Sequence, residues 1–135
     1  MPTYLADTSA WHRAGQVADR WAELIEGDEL ALCSPVTLEL LYSARGGGDY
    51  ESLARDLGRF PYVELDIRAE RAAGRAQRLL ARRAQHRRPS TIDLLIAGLA
   101  EVHGFVLLHY DRHFEAIARV TGQPAQWLAR PGRLD

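Results

Sequence analysis

The chain has 135 residues, 47% of them hydrophobic and 26% charged, enough to bury a core without a metal or disulfides. Its single cysteine, Cys33, excludes an internal disulfide framework and a thiolate zinc cage. No stretch nears the ~20 apolar residues of a membrane span, and the opening residues lack the basic start and apolar run of a signal peptide, so a cytoplasmic protein is expected. The net charge of −1 conceals an asymmetry: residues 68–88 hold eight arginines against one acid, Glu70, on an otherwise acidic chain. All 17 basic residues are arginine, which a GC-rich codon bias explains most simply.

Short apolar runs alternate with longer amphipathic stretches along the chain. Residues 4–6 read as a strand ending at Asp7. A helical stretch over 9–25 follows, with a break at Gly15 and with Trp11, Val17, Trp21, Leu24 and Ile25 facing a core. Residues 30–33 read as a second strand, after which Ser34 suits an N-cap and Pro35 the first helical position. That helix stops at Gly46-Gly-Gly48, and another spans 49–60 with Leu53, Leu57 and Phe60 on one face. Residues 62–65 make a short strand. Asp66 then caps a long basic helix that ends before Pro89. Ser90 or Thr91 opens the next helix, which runs to about His103 and closes at Gly104. A strand over 105–109, a short helix over 114–120 and a last strand over 126–128 complete the chain. Strands alternating with helices at such short connections predict an α/β fold of one domain, a central parallel β-sheet flanked by α-helices.

In open parallel sheets, sites form beyond the carboxyl ends of the strands. Asp7 and Asp111 follow strands directly, Asp93 lies in the first turn of a helix, and Glu39 sits about one turn into another amid Leu38, Leu40 and Leu41. Each has an ordinary explanation alone: Ser90-x-x-Asp93 fits a capping box, and turns and helix starts attract aspartate. Four acids at one sheet edge repel one another, and such a set persists most readily around a divalent cation. Oxygen-only ligands favour Mg²⁺, with Mn²⁺ as the alternative, over zinc, and carboxylate-bound metals suit phosphodiester hydrolysis.

Four segments carry a resemblance: Leu5-Ala-Asp7-Thr-Ser-Ala-Trp11, Ser34-Pro-Val-Thr-Leu-Glu-Leu40, Ser90-Thr-Ile-Asp93-Leu-Leu-Ile-Ala97 and Leu107-Leu-His-Tyr-Asp111-Arg-His-Phe114. In order and spacing they resemble the PIN-domain ribonucleases, in particular the VapC toxins of bacterial toxin–antitoxin pairs, over nearly the whole chain. The resemblance implies a single PIN domain over residues 1–135. It implies an acidic metal pocket of Asp7, Glu39, Asp93 and Asp111, with Thr8 or Ser9 in support. It also implies a metal-dependent endoribonuclease cutting tRNA or rRNA, a homodimer, and a VapB-like antitoxin that blocks the cleft. Two positions depart from the family pattern. His109 stands where Thr or Ser is frequent, and His113 where a second Asp is. An imidazole at His113 weakens a second metal site or shifts preference toward Mn²⁺, unless it is a plain turn residue.

Arg68, Arg71, Arg75, Arg78 and Arg82 recur at steps of three and four, one stripe of a helix. Arg82, Arg83, Arg87 and Arg88 lie closest in sequence to Asp93 and are the expected RNA contacts, since guanidinium forks grip phosphates bidentately. The plain alternative is a solvated helix face. Gly46-Gly-Gly48 has no following Lys-Ser/Thr, so it reads as a connection and not a phosphate loop. Cys33 reads as a buried hydrophobe, and Trp11, Trp21 and Trp127 as core or dimer contacts. Two rival functions stand beside the nuclease. One is a weakened PIN-like module that binds antitoxin or RNA without turnover. The other is a phosphatase using Asp7 as nucleophile, disfavoured because Ser9 stands where such an enzyme needs a second Asp.

Overall fold

A parallel ladder of three-residue registry holds the centre of the molecule: β1 (Tyr4–Ala6) pairs with β3 (Val106–His109) through Tyr4↔Val106, Leu5↔Leu107 and Ala6↔Leu108. The computed structural model describes residues 2–134. On its other edge β1 takes β2 (Leu30–Ala31), and β3 takes β4 (Ala125–Trp127), giving an all-parallel sheet of order β2-β1-β3-β4. The expected α/β architecture, a parallel sheet flanked by helices, is what forms.

Successive strand residues point to opposite faces, and in a parallel sheet both faces need cover. Leu5, Ala31 and Leu107 accordingly enter one core with Val36, Ile96, Leu99, Phe114 and Ile117. Ala6, Leu30 and Leu108 enter a second with Ala10, Trp21 and Leu128. The first face is covered by α3 (Ser34–Tyr42), α5 (Ile67–Ala81), α6 (Thr91–His103) and α7 (Arg112–Thr121). The second is covered by α1 (Thr8–His12), α2 (Ala18–Glu26) and the C-terminal segment. Trp11 and Trp21 meet edge-to-face at 5.0 Å inside this second layer, so they are core residues.

α5 and α6 lie antiparallel and very close. A Cβ on Gly98 of α6 would come within 2.5 Å of the Ala69 carbonyl oxygen and 2.9 Å of the Ala73 nitrogen. Only glycine permits that approach, and the alanine face of α5 (Ala69, Ala72, Ala73, Ala76) is its complement. At the far end His103 of α6 approaches Asp66, the N-cap of α5, at 3.3 Å. The C-terminal end of α5 is therefore brought beside the N-terminal end of α6, where Asp93 sits.

Several boundaries differ from expectation for local reasons. The stretch over 9–25 divides into α1, a 3-10 turn (Ala14–Val17) containing Gly15, and α2. Ser34 is the first helical residue of α3 and not its cap; Cys33 precedes it without a side-chain cap. α3 ends at Tyr42, and α4 (Gly47–Leu57) takes in two of the three glycines, its start fixed by the Asp49 carboxylate accepting from the Arg45 N–H at 3.0 Å. Residues 62–65 form only a parallel bridge, Leu32↔Tyr62. The basic helix stops at Ala81 instead of reaching Pro89. Ala84 adopts φ +56°, and the N–H groups of Gln85 and Ala84 turn back to the carbonyls of Leu80 and Ala81 at 2.8 and 3.0 Å. Among the described residues no helix is long and apolar enough to cross a membrane.

Candidate active site

The chain leaves β1 at Asp7, whose N–H still donates to the Leu108 carbonyl at 3.0 Å, and turns at once into α1. Asp7 is the N-cap of that helix. Its carboxylate accepts from the Ser9 hydroxyl (2.7 Å), the Ser9 N–H (3.1 Å) and the Ala10 N–H (3.2 Å). The Ser9 hydroxyl oxygen in turn accepts from the Tyr110 N–H at 2.9 Å, tying the turn after β1 to the turn after β3. Asp7 is only 3% exposed, and burial pushes its carboxyl up to about 7 against the lowering effect of those bonds, with the charge of Asp93 adding to the rise.

Asp93 sits in the first turn of α6, where its carboxylate accepts from the Ser90 N–H (3.1 Å) while the Ser90 hydroxyl accepts from the Asp93 N–H (3.0 Å). This is the reciprocal capping box read from Ser90-x-x-Asp93, and one carboxylate oxygen makes the cap bond. Partial burial raises the Asp93 carboxyl, the Ser90 bonds oppose that, and neighbouring Asp111 raises it further. Asp111 caps α7 by accepting from the His113 N–H at 2.9 Å, which is why that helix begins at Arg112, earlier than its apolar residues suggest. His113 Nδ1 stands 3.6 Å from Asp111 Oδ1 and 3.9 Å from Asp93 Oδ2, between the two acids.

Glu39 lies on the exposed side of α3 and accepts from the Thr8 hydroxyl at 2.6 Å. Thr8, His12, Pro35, Leu38, Tyr42 and Ile92 surround it in an open, mostly apolar groove. On the other side of the acids, Arg13, Tyr110, Arg112 and Trp127 line a second hollow with Asp111 and His113. The structure thus brings Asp7, Asp93 and Asp111 together electrically at the carboxyl ends of β1 and β3, and attaches Glu39 to them through Thr8. Arg82, Arg83, Arg87 and Arg88 are exposed in the turns between α5 and α6, not on the helix where they were expected.

Among the described residues no three His, Cys, Asp or Glu side chains converge tightly enough to grip an ion as they stand. The donors nonetheless suit a hard divalent cation in kind. They are carboxylates, the charged forms of Asp7 and Asp93 are disfavoured by burial and by a neighbouring acid, and among the described residues none is paired with an arginine.

The family model described as PIN domain matches residues 4–120. The chain belongs to the PIN-domain family. Within it, Ribonuclease VapC51 of Mycobacterium tuberculosis is 42% identical over 134 residues, covering 98% of this chain and 97% of that protein. Ribonuclease VapC18 of the same organism is 38% identical over 135 residues, covering 97% and 98%. This is a PIN-domain chain of the VapC ribonuclease family. The fold agrees: VapBC2 of Rickettsia felis, bound to a promoter DNA fragment, superposes with a TM-score of 0.77 at 18% identity, covering 94% of this chain and 99% of that one. The DNA-bound VapBC of Salmonella typhimurium gives 0.73 at 19%, covering 96% and 100%.

In this VapC-family chain, sequence reasoning left His109 open between positioning substrate phosphate and packing, and missed Arg13. His109 turns inward against Trp127 (4.9 Å) and Phe114 (5.6 Å), and burial pushes its imidazole down to about 4, so it stays neutral. Its Nδ1 accepts from the Asp111 N–H at 3.2 Å and so helps set the turn that carries that acid. The signal was available, since His109 ends an apolar strand. Arg13, lying over the Tyr110 ring at 4.7 Å, had none: the two are distant in sequence and meet only through the β1 and β3 turns.

Proposed function

We propose that this chain is a metal-dependent endoribonuclease, one PIN domain over residues 1–135, acting as the toxin of a toxin–antitoxin pair in the bacterial cytoplasm. The observation that carries the reading is the convergence of a buried Asp7 with Asp93 and Asp111 beyond the ends of β1 and β3 in a VapC-family chain. Asp7, Asp93 and Asp111 would hold Mg²⁺, with Mn²⁺ as the alternative. The ion supplies an activated water and neutralises charge on the attacked phosphoryl and leaving oxygens. Glu39, held through one carboxylate oxygen by the Thr8 hydroxyl, would complete the pocket or orient the attacking water with the other. Ser9 holds the Asp7 carboxylate in place through its hydroxyl and N–H, and His113 lies between the remaining two acids as pocket support.

The substrate class is structured RNA such as tRNA or rRNA, held by backbone contacts from Arg82, Arg83, Arg87 and Arg88. The partners are a VapB-like antitoxin, as in the VapBC complexes that share the fold, and a second copy of the chain in a homodimer. The open apolar groove beside Glu39 offers the antitoxin a surface from which to block the acids.

Asp7→Asn and Asp93→Asn each remove a charge with little change of volume. Each should lower cleavage of bacterial RNA more than about 100-fold, beyond the loss typical of a ligand's supporting group, while leaving the circular dichroism spectrum unchanged. Full cutting by both variants contradicts the assignment. A second reading, a module that binds without turnover, draws on His113 standing among the acids and on the want of a ready three-ligand cluster. Unchanged RNA with tight RNA or antitoxin binding would select it.

A further inference from the structure

Seven arginines, Arg71, Arg75, Arg78, Arg82, Arg83, Arg87 and Arg88, are exposed on α5 and the turn after it. Among the described residues none of the seven has an acidic partner within salt-bridge distance; of the eight in this segment only Arg68 does, at 3.6 Å from Asp66. Like charges at steps of three and four destabilise a helix. A solvated face usually interleaves the two signs, and this one does not. Arg71, Arg75, Arg78 and His86 flank a shallow groove with Gly74 at its floor, where a Cβ would meet nothing within 4 Å. Arg75, Arg78, Leu79 and Arg82 line an adjoining one.

The direction of this stripe matters. Because α5 runs antiparallel to α6, Arg71 lies toward the end marked by Asp66 and His103, and Arg82 toward the end where Ser90 and Asp93 open α6. The eleven residue steps from Arg71 to Arg82, the cap that ends the helix, cover about 16 Å.

We propose that the outer face of α5, from Arg71 to Arg82, is a track for the RNA sugar–phosphate backbone that leads into the acidic edge. This extends the contact well beyond the turn arginines and rests on the reading of the chain as a ribonuclease. The lining favours a polyanion over an amphipathic peptide: the first groove holds Ala81 but no large apolar anchor, and the half-buried Leu79 of the second falls short of the row of anchors a peptide helix needs. It disfavours a lipid surface for the same reason.

The test is binding of a fluorescein-labelled single-stranded RNA of about 30 nucleotides of mixed sequence, by anisotropy in EDTA, across a series of salt concentrations. Three proteins are compared: wild type, the triple variant Arg71→Gln/Arg75→Gln/Arg78→Gln, and Arg45→Gln/Arg55→Gln/Arg59→Gln, which removes the same charge from exposed positions on and around α4. Thermal melts confirm that all three fold. The track predicts that the first triple lowers the slope of log affinity against log salt by about 2, at about 0.7 per phosphate contact, and weakens binding at least about tenfold. The second triple should change the slope by less than about 0.5. Equal effects of both triples, or no effect of the first, overturn the track. So does polyglutamate binding as tightly as RNA and with the same loss, which would make the partner an acidic protein. Because chelator removes cleavage, the outcomes separate: track-dependent binding without cutting in Mg²⁺ or Mn²⁺ defeats the nuclease reading alone, and cutting with unaltered binding defeats the track alone.

Discussion

The acidic edge and the arginine face of α5 handle charge in opposite ways. At the edge, Asp7 and Asp93 are sheltered from solvent, each is held by hydrogen bonds to its own helix start, and both are raised toward neutrality by burial and by their neighbours. On α5 and the turn after it, seven guanidinium groups stand in water without acidic partners among the described residues. Sheltered charges interact strongly and depend on position; exposed ones are screened and act in sum. On the proposed function, one substitution at the edge should abolish the chemistry, whereas each substitution in the stripe should erode binding a little. Gly98 and the alanine ridge of α5 join the two regions and fix their relative position.

That joint is where the comparison breaks most completely. Gly98→Ala drives a methyl group into the backbone of Ala69 and Ala73, and the expected cost is about 3 kcal/mol by urea unfolding, the upper end for overpacking a tight core. RNA binding and cleavage should fall together. A stable variant with both intact would show that α5 and α6 have slack that their spacing denies.

The next effect separates the regions by pH. In chelator, the native Asp7 carboxyl, at about 7 against an ordinary 3.8, holds its proton where the unfolded chain has lost it, so its contribution lowers stability as pH rises from about 4 to 7. Asp93 acts in the same direction. His109, at about 4 against 6.5, is neutral in the fold where the unfolded chain is protonated, so its contribution raises stability with pH between those values. Asp7 and His109 nearly cancel in wild type, and Asp93 tips the sum toward a fall with pH. Asp7→Asn should shift the profile toward a rise, by at most about 1.4 kcal/mol per pH unit between pH 4 and 6.5, whereas the α5 arginine triple should leave the wild-type profile unchanged. Thermal melts at a series of pH values read this directly. Identical profiles for Asp7→Asn and wild type contradict it.

Removing the hydroxyl that fixes Glu39 is a smaller change. Thr8→Val should lower kcat about tenfold, the loss expected of a supporting contact, without altering the salt dependence of RNA binding. A change in salt slope would place Thr8 in the binding surface instead. The smallest effect lies where the stripe leaves its helix. Ala84→Gly relieves a left-handed φ of +56° and should add about 0.5–1 kcal/mol of stability, with RNA affinity unchanged.

Much of the edge was legible in the residues because its acids are also local structure signals. Ser90-x-x-Asp93 announces a helix start, and Asp7 and Asp111 stand at the ends of apolar runs, so the sites and the elements are predicted by the same pattern. The two-sided core follows from short apolar strands, whereas the order β2-β1-β3-β4 is set by pairings that no local pattern specifies. What local reading loses is set by long-range geometry. The strand at 62–65 has only Leu32 to pair with and shrinks to a bridge. Arginine and alanine favour helix, so the sequence extends the basic helix through Arg88, yet Ala84 takes a conformation usually left to glycine. His109 ends an apolar strand, which hints at packing, but its partners Phe114 and Trp127 close over it from α7 and β4 and are set by long-range geometry.

The central claim is that the acidic edge cuts RNA with the help of a divalent ion. Its most direct test is incubation of the purified, antitoxin-free chain with total bacterial RNA in Mg²⁺, Mn²⁺ or EDTA, with Asp93→Asn alongside. The account predicts discrete fragments with either metal, none in EDTA and none from the variant. Intact RNA from a folded, metal-loaded chain, or the same fragments from Asp93→Asn, would contradict it.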